Sequence, residues 1–171
     1  KRYFYESDIS EFETYRTALD DQIKAYDVTF FNITHERLLK RIEESKDVYN
    51  DVLSKRFDFS MKEDFSTDYK KLDYVSSKKE MKERWRQQLK FSTIANYDDL
   101  LSEQEFAKTN VLKANDLTAI EFEKLKKERA ALLKKSKKEL EQEARVMTGK
   151  SLDELYDFID DRQRKDWFAV Y

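Results

Sequence analysis

The sequence predicts an all-α domain, a multi-helix and bundle-like assembly with one long charged helix and an extended aromatic connection around residues 56–76. Three observations carry that reading. The 171 residues include one glycine, no proline and no cysteine, where average usage gives roughly 12 glycines and about 9 prolines. Four of the sites that read Ser-x-x-Glu or Asp-x-x-Glu, the reciprocal side-chain to backbone pattern that opens helices, stand ahead of apolar residues three or four apart. About a quarter of the chain is Leu, Ile, Val or Phe, and 34 basic against 36 acidic side chains nearly cancel to −2. That is enough apolar material, at low net charge, to leave the regime of disorder.

Taken in order, Asp8-x-x-Glu11 opens a helix over about 9–26 with Phe12, Tyr15, Leu19, Ile23 and Tyr26 as its apolar stripe. Thr29 is the N-cap of a second helix over about 30–55, striped by Phe31, Leu38, Ile42, Tyr49, Val52 and Leu53. The short joint at Asp27–Thr29 makes these two antiparallel neighbours. Arg56-Phe57-Asp58-Phe59-Ser60 breaks the helical period, and Phe57 and Phe59 fall on one side of an extended segment. Phe65, Tyr69 and Tyr74 then pin a polar connection onto the helices.

Ser77-x-x-Glu80 opens a helix to about 96 with Met81, Trp85, Leu89 and Ser92 on one face, and Ser102-x-x-Glu105 offers a further start. Residues 117–148 form the longest helical pattern, with Leu125, Leu132, Leu140 and Met147 as a narrow seam. Gly149 falls where a left-handed residue ends a helix. Ser151-x-x-Glu154 then caps a last helix carrying Leu155, Phe158, Ile159, Trp167 and Val170.

The composition excludes several function classes. One glycine leaves no phosphate-cradling loop or dinucleotide fingerprint, and the absence of cysteine removes disulfides and thiolate metal sites. His35, the only histidine, meets neither metal-binding spacing: a Glu-x-x-His pair needs an acid where Asn32 stands, and His-Glu-x-x-His fails at Leu39. Ser76-x-x-Lys79 matches a penicillin-binding motif without its companions, inside a sequence that capping already explains. The adjacent acids Asp20/Asp21, Glu43/Glu44, Asp98/Asp99 and Asp160/Asp161 diverge by about 100° on a helix, so they cannot converge on one bond. No cofactor and no metal is expected, and no residue of this chain is expected to be catalytic. No stretch is long and apolar enough to span a membrane.

Residues 121–145 hold nine basic and six acidic side chains. They read as a solvated helix laced by Glu123–Lys127 and Glu141–Arg145 pairs, or as a surface for a polyanion or protein partner. With no interleaved aromatics and a pI near 5.7, a nucleic-acid partner is not expected. The chain opens at Lys1 without an initiating Met or a signal sequence, so it reads as a piece of something longer. Trp167, Phe168, Val170 and Tyr171 crowd its end and read as a candidate interdomain contact, a helix expected to run on into another domain.

Five separated segments then resemble a known family. Tyr3-Phe4 with Ser7-Asp8-Ile9, Glu11-Phe12 and Leu19-Asp20-Asp21-Gln22-Ile23 is similar to the start of bacterial tail-specific (carboxy-terminal-processing) proteases. So are Arg56-Phe57-Asp58-Phe59-Ser60, Arg84-Trp85-Arg86-Gln87-Gln88-Leu89-Lys90 and the closing Asp166-Trp167-Phe168-Ala169-Val170-Tyr171. The resemblance covers roughly residues 1–97 and 150–171 and is loose between them. It implies a single helical N-terminal domain over 1–171, with a sub-division into 1–97 and 98–171 as the alternative, ahead of PDZ and peptidase domains that lie elsewhere in the parent. It further implies a periplasmic or cell-envelope parent with a Ser–Lys dyad that trims or degrades proteins from their C-termini. None of the dyad residues maps onto this chain. The implied partners are the parent's own PDZ and peptidase domains, with protein substrates or an adaptor besides. The competing reading is a free-standing helical scaffold or adaptor that binds protein partners through its basic helix. Continuation of the reading frame into PDZ and peptidase sequences decides between the two.

Overall fold

The structure is a computed structural model that describes residues 1–68, 70–110 and 118–169, with side chains described up to residue 159. Among the described residues there are six helices and no strands. The helices are α1 (Glu6–Glu13), α2 (Leu19–Lys24), α3 (Thr29–Leu53), α4 (Lys78–Thr109), α5 (Ala119–Lys134) and α6 (Lys137–Ala169). The chain forms two compact units, Lys1–Leu89 and Lys90–Tyr171.

In the first unit α1 runs antiparallel to α3, since Asp8 meets both Arg37 and Arg41 while Glu11 meets Arg37. The opening turns of α4 return along α3, where Lys82 reaches Asp51 at 2.5 Å. Tyr49, Val52, Val75, Met81, Trp85 and Leu89 are buried between them. The described residues of the connection between α3 and α4 are irregular, as expected from the break at Arg56–Ser60. Phe57 and Phe59 stack 6.3 Å apart at 26°. A backbone bridge, Glu6 N–H to the Val75 carbonyl at 2.9 Å, ties its end to the start of α1. Tyr69 lies outside the described residues.

The expected helix over 9–26 is two helices. Around Thr14 the backbone switches to hydrogen bonds three residues back, and the Thr14 hydroxyl donates to the Glu11 carbonyl at 2.7 Å. A hydroxyl that competes for helix carbonyls tightens and ends the turn, and the Tyr15 ring is drawn onto Phe30 at 5.6 Å. Asp8 does not cap from outside. It sits inside α1, where its carboxylate accepts from the Tyr5 N–H at 2.9 Å. Thr29 is the first residue of α3 rather than its cap. Its amide and its hydroxyl both donate to Asp27.

In the second unit α5 and the first half of α6 follow one another in the same direction, both antiparallel to α4 from residue 90 onward. Leu100, Leu140 and Ala144 form the core, with Tyr97, Leu101 and Leu132 packed against it. Further along, Thr93 and Thr148 face each other with hydroxyls 3.2 Å apart, and Asn96 donates to Thr148. The ends of α4 and α5 cap one another. Gln104 donates to the carbonyls of Leu132 and Lys135, both at 2.9 Å, and the Arg129 guanidinium donates to those of Ala107 and Asn110. These are the last-turn carbonyls that a helix cannot satisfy itself.

Three expected boundaries fall differently. Ser102 starts nothing, because α4 runs unbroken through it. The 117–148 pattern is two helices parted at Lys135–Ser136, where Ser136 and Glu139 form a capping box. Gly149 and Ser151 lie inside α6, with no positive φ at the glycine, and the Ser151 hydroxyl returns to the Met147 carbonyl. A glycine inside a helix weakens it relative to alanine. Gly149→Ala is therefore expected to stabilise the protein by about 0.5–1 kcal/mol, read as a shift in the urea midpoint at unchanged slope.

Candidate functional site

The side chains bearing chemistry do not converge on a reaction centre among the described residues, and no three of His, Asp or Glu there are placed to share a cation. His35 stacks flat on Phe31, ring centres 5.7 Å apart at 6°. Ser76 is held by Glu80, whose carboxylate accepts from its amide at 2.9 Å and from its hydroxyl, while Ser77 accepts from the Glu80 amide. Both serines thus build the entry to α4 rather than pairing with Lys79.

The densest charge cluster is structural. Asp8, wholly buried, takes Arg37 at 2.5 Å and a two-pronged contact from Arg41 at 2.8–2.9 Å. Glu44 and Glu11 take the remaining guanidinium edges, and Arg41 lies over the Tyr5 ring at 4.4 Å. Burial alone would raise the Asp8 carboxyl, but hydrogen bonds from Arg41, the Tyr5 amide and Arg37 outweigh it and hold it at about 2. The cluster locks α1 to α3 and offers no open coordination position.

What the structure does expose is apolar surface. At the corner between α2 and α3, Ile23 is 71%, Tyr26 93%, Val28 59% and Phe31 61% exposed. The helical period assigned Ile23, Tyr26 and Phe31 to the interior. Instead Phe30, one residue from Phe31 and so turned about 100° around the helix, makes the inward contacts with Phe12 and Tyr15. The signal for this corner was Asp27, an acid two residues before a hydroxyl at a helix start, which marks a chain reversal. In the second unit, Phe106, Ile120, Phe91, Val146 and Phe158 are exposed. Leu100, Phe106, Leu125 and Leu132 line a groove of about 370 Å³ there, rimmed by Glu128, Arg129 and Glu143.

The basic stretch divides in two. Lys126 pairs with Glu123, Lys124 with Glu128, and Lys135 with Glu143 at 2.5 Å. Lys127, Lys134, Lys137 and Lys138 are exposed and form no ion pair with a described residue. Of the terminal aromatics, Trp167 and Phe168 belong to the last turn of α6 by backbone alone, and Val170 and Tyr171 lie outside the described residues.

The family model described as the tail specific protease N-terminal domain matches residues 1–171, the whole chain. The chain belongs to that family. No curated protein and no solved structure matches it. Membership of the tail specific protease N-terminal domain family implies a domain of a larger protease chain. No helix among its described residues is long and apolar enough to cross a membrane.

Proposed function

We propose that this is the non-catalytic N-terminal domain of a bacterial, periplasmic tail-specific protease of the Ser–Lys type. The parent processes or degrades proteins from their unstructured C-termini. Residues 1–171 act as a single N-terminal domain that flanks the protease body and shapes the access of substrates or of an adaptor. The PDZ and peptidase domains of the same parent carry recognition of the C-terminus and the chemistry. Trp167, Phe168, Val170 and Tyr171 make the contact where α6 leads on toward that body. The observation that carries this reading is the match of the family over the whole length of the chain.

The close hydroxyl–carboxylate pairs among the described residues, such as Thr29–Asp27, Thr118–Glu121 and Ser136–Glu139, are local ones that build turns and helix starts, which fits chemistry placed elsewhere in the parent. Ser76, the one serine that a sequence motif singles out, spends its hydroxyl on Glu80. The experiment compares the isolated chain with the intact parent on a protein that ends in an unstructured, apolar tail. The parent is expected to consume it and the isolated chain to leave it whole. Cleavage by the isolated chain that disappears on substituting one of its own residues overturns the reading. So does a parent whose processing of a folded, tailed substrate is unchanged after deletion of residues 1–171.

A second reading rests on Lys127, Lys134, Lys137 and Lys138, four exposed lysines within twelve residues and without described acidic partners. Here the basic helix docks an acidic protein partner, and charge reversal at these four positions abolishes that docking while leaving tail cleavage intact.

A further inference from the structure

The backbone of Tyr26 has φ 55, the one positive φ at a non-glycine residue among those described. Around it α2 ends in a tight reversal, with the Asp27 amide donating to the Gln22 carbonyl at 2.8 Å and the Tyr26 amide to that of Ile23 at 3.3 Å. This is the double hydrogen bond that closes helices on a left-handed residue, normally glycine. A bulky side chain is disfavoured there by its Cβ. Burial could offset that cost, but the Tyr26 side chain is 93% exposed. The chain's single glycine meanwhile sits inside α6, where nothing requires it to be left-handed. Tyr26 is therefore the wrong residue for folding, and an outlier of this kind points toward function.

Its neighbours point the same way. Ile23, Val28 and Phe31 are all more than half exposed around it, and His35 props Phe31 from behind. The border is acidic: between residues 20 and 36 the charged side chains are Asp20, Asp21, Asp27 and Glu36 against Lys24 alone. That rim repels an anionic lipid surface. It also disfavours a two-fold contact between copies of this chain, because a self-complementary contact brings the same acids face to face. It suits an apolar recess bordered by basic side chains. A domain of a larger protease has one protein surface permanently tethered beside it at high effective concentration.

We infer that the Ile23–Tyr26–Val28–Phe31 corner is a docking surface of this domain for the protease body of its own parent, with Tyr26 as the anchoring ring. The inference rests on the reading above that the domain flanks that body, and adds which surface does so.

The test uses the intact parent. A photo-reactive phenylalanine analogue placed at position 26 is expected to cross-link within the chain, to a residue beyond 171. Hydroxyl-radical labelling of Tyr26 and Phe31 in the unmodified parent is expected to fall roughly tenfold below that of a free ring, since a covered ring reacts only while its contact is open. Tyr26→Gly relieves the backbone conflict, so the parent is expected to keep its fold while Phe31 becomes freely labelled. Cross-links between chains, cross-links to a separate protein, or free labelling of Tyr26 in the parent each overturn the inference. Free labelling of Tyr26, with processing still dependent on residues 1–171, leaves the flanking role standing and moves its surface elsewhere. Loss of that dependence overturns the flanking role itself.

Discussion

Trp85→Ala is expected to cost about 3–5 kcal/mol in urea unfolding, the range for a large aromatic removed from a core. Trp85 is 2% exposed on the inner face of α4, one helical turn from Met81 and from Leu89. Tyr3 tilts against it at 51° with ring centres 6.1 Å apart, and the Arg2 guanidinium lies over it at 5.4 Å. The void left among Tyr3, Tyr5, Val48, Met81 and Trp85 is only about 10 Å³. Neighbours packed that closely have little room to collapse into the space an indole vacates, so the substitution leaves a cavity rather than a repacked core. Trp85→Phe should be cheaper, because it keeps a ring in the same slot. A loss below about 1 kcal/mol for the alanine variant is what a surface residue would give, and would contradict the packing described.

Asp8→Asn is expected to cost about 3 kcal/mol, because it leaves Arg37 and Arg41 facing each other without the charge both of them bind. The pH dependence separates this cause from simple loss of a hydrogen bond. The folded-state value of about 2 lies below the ordinary 3.8. Asp8 therefore stabilises the native state fully above about pH 4, and that contribution disappears as the pH falls toward 2. The shift corresponds to about 2 kcal/mol. Stability measured from pH 5 to pH 2 should fall less steeply in the Asn variant than in the native chain. Equal slopes would mean that the carboxylate is not held by the two arginines.

Helix existence was legible in the sequence to a greater extent than helix ends, and the capping residues show why. Ser77, Ser102, Ser136 and Ser151 share one local pattern, a serine with glutamate three residues on. Ser77 and Ser136 cap, because the chain before each is extended or turning and leaves its first amides free. Ser102 and Ser151 lie inside continuous helices, where the amides are already taken and a hydroxyl can only turn back to a carbonyl, as Ser151 does to Met147. The pattern cannot distinguish these cases, since the difference lies in partners distant in sequence. Gln104 claims the end of α5 from 28 and 31 residues away. The same holds for the candidate surface. Phe30 and Phe31 fit the helical period about equally well, and only the position of α1 decides that Phe30 turns inward. Trp85 needed no such information, being flanked at one-turn spacing by Met81 and Leu89, and it is buried as that spacing requires.

The exchange of caps between α4 and α5 means that each helix supplies the stop signal for the other. Gln104 closes α5 and Arg129 closes α4, so if either end frays, it withdraws the side chain that holds its neighbour shut. Ordinary helix ends open a turn at a time and independently. These two form a mutual latch that opens together or not at all, which turns two local fraying equilibria into a single cooperative one.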